Sequence, residues 1–506
     1  MVQSTKRDQL TEMGVKDLWK VLSPAGQSVP IKSLSGKTLA VDLSGWIVEF
    51  RANQNVPHLY LRTLYQRTTR LMKQGLKLVC VADGIAPECK RNAMMTRCKD
   101  RPGTPNVNRS RFKFIVEKID GIPILQCFEM LECLGLPCIW APGEAEAYCA
   151  WLNSHGYVDG ILTEDSDTFL YGGKVIYKDL KTLNKFEYEV DAYDMENIKE
   201  KLELTRETMV AMAMLVGCDY DEEGIRDIGI EKTRELITEL KNNHLDPLTR
   251  ITEWRNNEEL QRLSKVEERR TAHCKQCQHR GTKTQHDKEG CTDCSLDVSC
   301  DQSSKVKCSC GSVYHKKEKY SQELRCYQKA LQNPSFPNET MVNEYLHAND
   351  SVQRINFDRR PIDITKLKSQ VEWEPHEKIA ELVVQLQMTG QSSFLGTESR
   401  IRPLKIRKEC KQNFVKCFEV EWTKFDTDKQ TNGDCYTIIV CQDAFTKLYN
   451  NEVEKFRAEM EKEKERKKED KLVRRGEKRK QVDSEQPKIK DFFKSKKKLS
   501  PHPDVK

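Results

Sequence analysis

No stretch of about 18 consecutive apolar residues occurs in the chain, so a membrane-spanning helix is not expected. The opening residues, MVQSTKRDQLTE, lack the apolar core of a secretory signal, so the chain is expected inside the cell. No internal repeat is visible. The charge excess is also small. Basic residues number 85 and acidic residues 78, a net charge of +7, so the placement of charge matters more than its sum. Cysteine, by contrast, is abundant: twenty in a long intracellular chain are expected as thiols or metal ligands, not disulfides. The length of 506 residues exceeds one ordinary core and implies two to four domains. Hydrophobic residues at 37 % and charged residues at 32 % fit folded domains carrying a disordered tail.

From Met13 to about Leu240 the pattern is α/β. GKTLAVDLS (36–44), LKLVCVADG (76–84) and VDGILTEDSD (158–167) are short apolar runs that end in an acid and a turn. Helical patterns lie between them at 57–74, 109–134 and 143–153. Alternation of buried strand and helix predicts a mainly parallel sheet covered by helices on both faces. Residues 84–108 are basic and less regular, as in an excursion from that sheet. Residues 271–326 hold eight cysteines and four histidines with few apolar residues. Strand character returns over 399–448, in FVKCFEVEW and YTIIVC. Residues 452–480 suit a solvated helix, and the rest of the charge-dense tail is expected to be disordered.

Seven carboxylates stand at strand or helix ends within the α/β region. Asp42 and Asp83 each end an apolar strand. Glu144 and Glu146 begin a helix in APGEAEAY. Asp165 and Asp167 close the third strand, and Asp219 follows the apolar helix VAMAMLVGC. A single acid in such a place is ordinarily a turn residue or a cap; the ordered set of seven is not accounted for that way. Open parallel sheets bind ligands beyond the carboxyl ends of their strands, so these acids are aimed at one edge. Two like charges about 4 Å apart repel by about 4 kcal/mol at an effective dielectric of about 20. The cluster therefore needs cations, and all-oxygen ligation suits magnesium, with manganese as a substitute. Two such ions can clamp a phosphodiester and activate water, with no serine, cysteine or histidine nucleophile implied.

GVKDLWKVL (14–22), VDLSGWI (41–47), VADGIAPECK (81–90), GEAEA (143–147), TEDSDTFLYG (163–172) and LVGCDY (215–220) resemble, in order and spacing, the N and I motifs of the XPG/flap-endonuclease superfamily. The form around Asp42 and Trp46, and the long extension beyond the core, resemble its Gen/Yen-type Holliday-junction-resolvase branch. The resemblance implies that Asp42, Asp83, Glu144 and Glu146 serve one magnesium and that Asp165, Asp167 and Asp219 serve the other, with Glu146 near both. It also implies that Lys90 and Arg97 lie on an arch above the metals and grip the scissile phosphate. Their seven-residue spacing puts both on one helical face, where a cation offsets charge developing in the transition state; the bland alternative is a solvated basic face. Arg91, Lys99, Arg101, Arg109 and Arg111 add positive charge nearby.

After Asp219, DEEGIRDIGIEKTRELI resembles the superfamily's helix–two-turn–helix, whose glycine-rich turn offers backbone groups and a potassium ion to duplex DNA. Gly224 and Gly229 are present, but Arg226 and Asp227 stand where Pro-Gly is usual. That departure restricts a tight turn, puts an acid near phosphate, and brings the potassium site into doubt. The family core begins Met-Gly-Val, matching residues 13–15. The preceding twelve residues are then either accommodated beside the site or absent from the mature chain.

In the cysteine-rich stretch two CxxC pairs, 13 residues apart, could form a tetrahedral structural zinc site of Cys274, Cys277, Cys291 and Cys294. The alternative is a flexible insertion with unligated thiols. Residues 399–448 resemble the chromodomain that follows the nuclease in animal junction resolvases. Phe414, Phe418 and Trp422 there could line a methyl-lysine cage or be the core of a small β fold. Residues 466–480 hold nine basic and three acidic residues, as in a nuclear-import or nucleic-acid patch or a solvated tail. Next, QPKIKDFF resembles a sliding-clamp (PCNA-interacting) box. Gln486 would cap a polar pocket, and Ile489, Phe492 and Phe493 would plug a hydrophobic one.

The expected fold is an α/β parallel-sheet nuclease core with a helical arch and a helix–two-turn–helix. A Cys-rich insertion, a small β chromodomain-like module and a disordered basic tail complete it. The boundaries are 13–108 and 109–208 for the N and I nuclease regions, 209–265 for the helix–two-turn–helix and 266–326 for the insertion. A helical remainder follows at 327–398, the β module at 399–448 and the tail at 449–506. The expected activity is magnesium-dependent, structure-selective cleavage of branched DNA. It would resolve four-way junctions as a transient homodimer by paired symmetric nicks and also cut 5′ flaps and forks, in the nucleus. The alternatives are a monomeric 5′-flap endonuclease working with the clamp, and a catalytically silent DNA- or chromatin-binding scaffold.

Overall fold

The structure, a computed structural model, describes residues 14–49, 58–88, 90, 118–119, 122–183, 188–265, 273–277, 279–291, 317, 319–348, 360–396, 399–412, 414–425 and 435–485. The chain forms two compact units, residues 1–372 and 373–506. The first is built on strands β1 (Gln27–Pro30), β2 (Thr38–Asp42), β3 (Lys77–Ala82), β4 (Lys118–Ile119), β5 (Ile122–Pro123), β6 (Cys138–Trp140), β7 (Gly160–Leu162), β8 (Val175–Thr182) and β9 (Tyr188–Asp194). Seven of them make one sheet in the order β1-β9-β8-β7-β2-β3-β6.

The strand pairs from β6 to β8 are parallel, while β9 pairs antiparallel with both β8 and β1. The sheet is therefore mainly parallel with an antiparallel edge. Its central strands, TLAVD, KLVCVA and GIL, are buried almost throughout, as continuous apolar runs covered on both faces must be. The helix Leu59–Lys73 packs an apolar stripe of Leu61, Leu64, Tyr65, Leu71 and Met72 at the spacing an amphipathic helix requires. The helix Ala145–Ser154 is buried over most of its length.

One expected helix is interrupted: within 109–134, β4 and β5 pair as a small antiparallel ribbon and the helix Ile124–Cys133 follows, while residues 109–117 lie outside the described residues. Pro123, which has no N–H to give an interior turn, sits at the helix N-cap.

Later in the first unit stands the helix Ser321–Ala330. Its Glu323 is fully buried. The carboxylate accepts from Arg250 Nε at 2.6 Å and Trp254 Nε1 at 2.9 Å. A buried charge so paired is tolerated, but removing one partner leaves the other uncompensated.

The second unit carries an antiparallel sheet of β10 (Pro403–Gln412), β11 (Val415–Trp422) and β12 (Tyr436–Cys441), followed by the helix Gln442–Leu448. Phe418 and Trp422 are fully buried. Their rings lie 5.9 and 6.0 Å from that of Phe445, so both are core. Phe414 is fully exposed at the β10–β11 turn. These three side chains therefore do not share a cage. The helix Asn450–Glu485 spans the segment expected to be a solvated helix, and residues 457–474 are exposed. Gln486, Ile489, Phe492 and Phe493 lie outside the described residues.

Glu323→Ala is expected to destabilise the first unit by about 3 kcal/mol, read as a lowered main transition in calorimetry of the full chain. An unchanged transition would show that the Arg250–Glu323–Trp254 network contributes nothing net.

Candidate active site

Neighbouring parallel strands β3, β2 and β7 all end at one edge of the sheet. Asp42 is the last residue of β2, Asp83 follows β3, and Asp165 and Asp167 follow β7. Glu144 is the N-cap of the helix Ala145–Ser154, and Glu146 lies in its first turn. Asp42, Glu144, Glu146, Asp165 and Asp167 are all buried; Asp219 is 30 % exposed. Oxygens of Asp83, Glu144 and Glu146 lie within 4.8 Å of one another.

The second group is held by local backbone. Asp165 accepts from the N–H of Asp167 at 2.8 Å and donates its own N–H to Thr163 Oγ1 at 3.1 Å. The Thr163 hydroxyl donates to Asp42 Oδ2 at 3.2 Å, which ties β7 to β2 across the edge. Asp42 Oδ1 also accepts from Gly45 N–H at 3.0 Å, and Asp83 Oδ1 from Ala145 N–H at 2.8 Å.

Lys90 enters the middle of this cluster. Its ammonium pairs with Glu144, stands 3.4 Å from Asp219 and 3.8 Å from Glu146. Burial works against its charge, but the surrounding carboxylates, Glu146 first, hold its pKa well above the ordinary lysine value.

One cation does not satisfy so many acids. Burial pushes Asp42 up to about 6, with Asp83 adding repulsion. Burial likewise raises Glu144 to about 7 against the pull of Lys90, and Asp167 to about 7 with Asp219 adding to it. Glu146 and Asp165 are also raised well above the carboxylate range by burial, then by like charges. Asp165 repels Glu146, so that side chain senses both groups of acids.

The donor set fits hard divalent cations. Oxygens around one octahedral magnesium, bonded at about 2.1 Å, lie about 3–4 Å apart, a spacing the Asp83–Glu144–Glu146 group reaches with small side-chain shifts. Among the described residues no hydrogen bond of ordinary geometry reaches the buried Asp167 Oδ1, an acceptor of the kind that a cation satisfies.

Three supporting residues were not singled out in the sequence, although Gly14 and Thr163 lie inside quoted motifs. Tyr345, far along the chain on the helix Glu339–His347, donates its hydroxyl to Asp167 Oδ2. Gly14 adopts φ 84°, and a Cβ there would lie 2.4 Å from Asp165 Oδ1 and 2.5 Å from Asp167 Oδ1. Only glycine fits so close to the two carboxylates in that conformation. Thr163 lies inside the quoted TEDSD motif, which would have been the place to look for it.

Past Asp219, the helices Arg206–Val216 and Ile230–Asn242 flank a turn. Gly224 has φ 57°, and a Cβ there would press within 2.6 Å of Leu215 O. Gly229 is extended, with open space around it. Asp227, in the place of the usual glycine, takes φ 61° itself, a conformation that Asp tolerates better than most residues. Lys329 Nζ stands 3.4 Å from its carboxylate. The turn therefore survives the substitution. Arg91 and Arg97 lie outside the described residues, as do Lys99, Arg101, Arg109 and Arg111.

The family model for the XPG N-terminal domain matches residues 13–103, and that for the XPG I-region matches 135–219. The chain is 34 % identical over 435 residues to Flap endonuclease GEN homolog 1 of Homo sapiens, covering 81 % of this chain and 46 % of that protein. It is 31 % identical over 448 residues to Flap endonuclease GEN of Drosophila melanogaster, covering 81 % and 58 %. The chain thus spans about half the length of the curated relatives it matches. Among solved structures it is similar to human GEN1 in complex with Holliday junction DNA, with TM-score 0.60, 28 % identity and coverage of 90 % of this chain and 100 % of that one. It is also similar to the catalytic core of Rad2 in complex with DNA substrate, with TM-score 0.51, 27 % identity and coverage of 74 % and 100 %.

The raised carboxylates set a pH dependence. Asp42, Glu144 and Asp167 hold protons in the folded state up to about 6 or 7, whereas the unfolded chain releases them near 3.8–4.5. Stability of the metal-free protein should therefore fall as pH rises through that window. Melting temperatures between pH 5 and 8 test this. Magnesium should raise the melting point more at pH 8 than at pH 6, and Asp42→Asn should shrink both effects. A magnesium response that is independent of pH would contradict the assignment.

Proposed function

We propose that the chain, which carries matches to the XPG N-terminal domain and I-region and resembles GEN nucleases, is a magnesium-dependent, structure-selective DNA endonuclease that resolves four-way junctions by paired symmetric nicks and also cuts 5′ flaps and forks. The observation that carries this reading is the convergence of seven carboxylates and Lys90 at the ends of β2, β3 and β7. Its similarity to a GEN1 that was solved with Holliday junction DNA supports the choice of branched substrate.

Asp42, Asp83, Glu144 and Glu146 would hold one magnesium or manganese ion, and Asp165, Asp167 and Asp219 the other. Such ions supply Lewis-acid polarisation of the phosphodiester and a lowered pKa for water. The protein's own contribution is positioning. Thr163 fixes Asp42, the Asp167 N–H fixes Asp165, and Tyr345 fixes one oxygen of Asp167. Lys90 neutralises the acids before cations arrive, then is free to contact a non-bridging phosphate oxygen, where positive charge favours the transition state. Hydrolysis would leave a 5′-phosphate.

Dimerisation on junctions, docking of a sliding clamp at Gln486, Ile489, Phe492 and Phe493, and additional DNA contact by residues 399–448 belong to the same proposal. A DNA substrate and the basic stretch 466–480 support work in the nucleus.

Asp42→Ala and Glu144→Ala should each lower cleavage at least about 1,000-fold, in line with removal of a charge-positioning group, while binding to branched DNA changes little. Wild-type rates in either variant would refute the metal assignment. Gly14→Ala should lower cleavage more than about tenfold by displacing Asp165 and Asp167, since small misplacements at a reacting centre are costly. Labelled flap, fork and four-way substrates, mapped at nucleotide resolution with magnesium, test the substrate choice. Paired symmetric nicks in a mobile junction are expected. Intact junctions beside rapidly cut flaps would instead favour the monomeric flap nuclease.

A further inference from the structure

Residues 273–291 read HCKQCQHRGTKTQHDKEGC, a stretch with no aliphatic or aromatic side chain apart from its histidines. It nevertheless has a defined local fold. His273 and Arg280 form a β-bridge, and Cys274 N–H donates to His279 O at 2.8 Å. A capping box built on Thr282 and Gln285 starts the helix Lys283–Glu289. Among the described residues, its apolar interior consists of Cys274, Cys277 and Cys291. Three thiols bury too little surface to offset the ordering of such a segment.

His279 and His286 are buried with those cysteines. Ligand atoms of Cys274, Cys277 and His286 lie within 4.8 Å of one another, as do those of Cys277, His279 and Cys291. Cys277 Sγ is 3.4 Å from His286 Nδ1 and 3.9 Å from Cys291 Sγ. A zinc tetrahedron with Zn–S about 2.3 Å and Zn–N about 2.0 Å has edges of about 3.5 Å (S–N) and about 3.8 Å (S–S), so these two separations match ligand separations, while Cys274 and Cys291 fall in different groups that share Cys277.

The surroundings are arranged for a cation as well. His286 Nε2 lies 2.8 Å from Arg280 O. A carbonyl can only accept, so Nε2 carries the proton and Nδ1 turns its lone pair toward the sulfurs. A metal-binding histidine is oriented in this way. Gly281 leaves room for the ring, since a Cβ there would lie 2.6 Å from His286 Nε2. The N–H groups of Gln276 and Cys277 point at the Cys274 sulfur. A disulfide between two of the three cysteines would leave one thiol over and give neither histidine a role.

We propose that Cys274, Cys277, His286 and Cys291 hold one structural zinc ion. His279 is a positioning residue that donates its Nδ1–H to the Cys291 thiolate, 3.3 Å away. This ligand set exchanges the second cysteine of the downstream CxxC pair, Cys294, for a histidine on the intervening helix; Cys294 itself lies outside the described residues. The ion takes the place of a hydrophobic core for the segment from His273 to Cys291.

The test is the zinc content of the full chain, purified without chelator and measured by mass spectrometry. One equivalent is expected. Cobalt(II) substituted into the wild type should give the visible spectrum of a tetrahedral site with three sulfurs and one nitrogen. Cys274→Ser and His286→Ala should lose the zinc, and Cys294→Ser should keep it. His279→Gln should keep the stoichiometry but weaken affinity by about 10–100-fold, as expected for a residue acting through a ligand. Wild type without zinc, a four-sulfur cobalt spectrum, or zinc lost from Cys294→Ser would each overturn the assignment. The cobalt spectrum needs no variant, so misfolding cannot obscure it. Metal content is read apart from DNA cleavage, so a failure here leaves the nuclease reading untouched.

Discussion

Mutual repulsion among buried carboxylates governs the first unit. Five acids are almost fully removed from water at one edge of the sheet, and two more stand beside them. Each raises the cost of ionising the next, as the upward shifts of Asp42, Glu144 and Asp167 record. A fold that kept this cluster only for stability would pair every acid with a base. Here, among the described residues, Lys90 alone stands in contact with acids of both groups, its ammonium meeting Glu144, Glu146 and Asp219. The remaining charge is a demand for divalent cations.

The parallel sheet makes the cluster possible. Strands running in one direction end together, so side chains just past their ends meet although they are far apart in sequence. Asp42 and Thr163 are hydrogen-bonded across 121 positions, and Asp83 reaches the N–H of Ala145 across 62. Elements beyond the sheet close the site from outside: Gly14 packs against the Asp165–Asp167 turn, and Tyr345 donates to Asp167. Rigid strands and helices thus set the distances between acids, while supporting hydrogen bonds set their orientation.

The Cys/His segment solves the opposite problem. The core of the first unit is built from apolar side chains and concentrates charge at the edge of its sheet. Residues 273–291 have almost no apolar surface and gather neutral and thiol ligands in their interior instead. Both clusters place metal-binding groups at burial levels that unpaired polar atoms do not ordinarily tolerate. The ligand chemistry separates them: carboxylates for hard cations, sulfur and imidazole for zinc. The second unit differs again, with Phe418, Trp422 and Phe445 forming a conventional aromatic core.

The seven acids, the parallel character of the sheet and the helices at 57–74 and 143–153 were legible in the sequence, because buried strands read as unbroken apolar runs and their terminal acids break those runs visibly. The turn after Asp219 was legible too, down to the irregularity at Asp227. What the chain does not spell out is contact between distant positions. Nothing local marks Tyr345 as a partner of Asp167, or Gly14 as a neighbour of Asp165, or decides whether Phe418 and Trp422 face a ligand or a core. The spacing of the CxxC pairs says nothing of the histidines between them; the fold buries His279 and His286 beside Cys274, Cys277 and Cys291. Sequence periodicity reports which face of an element is buried; only the packing of elements against one another determines which buried groups touch.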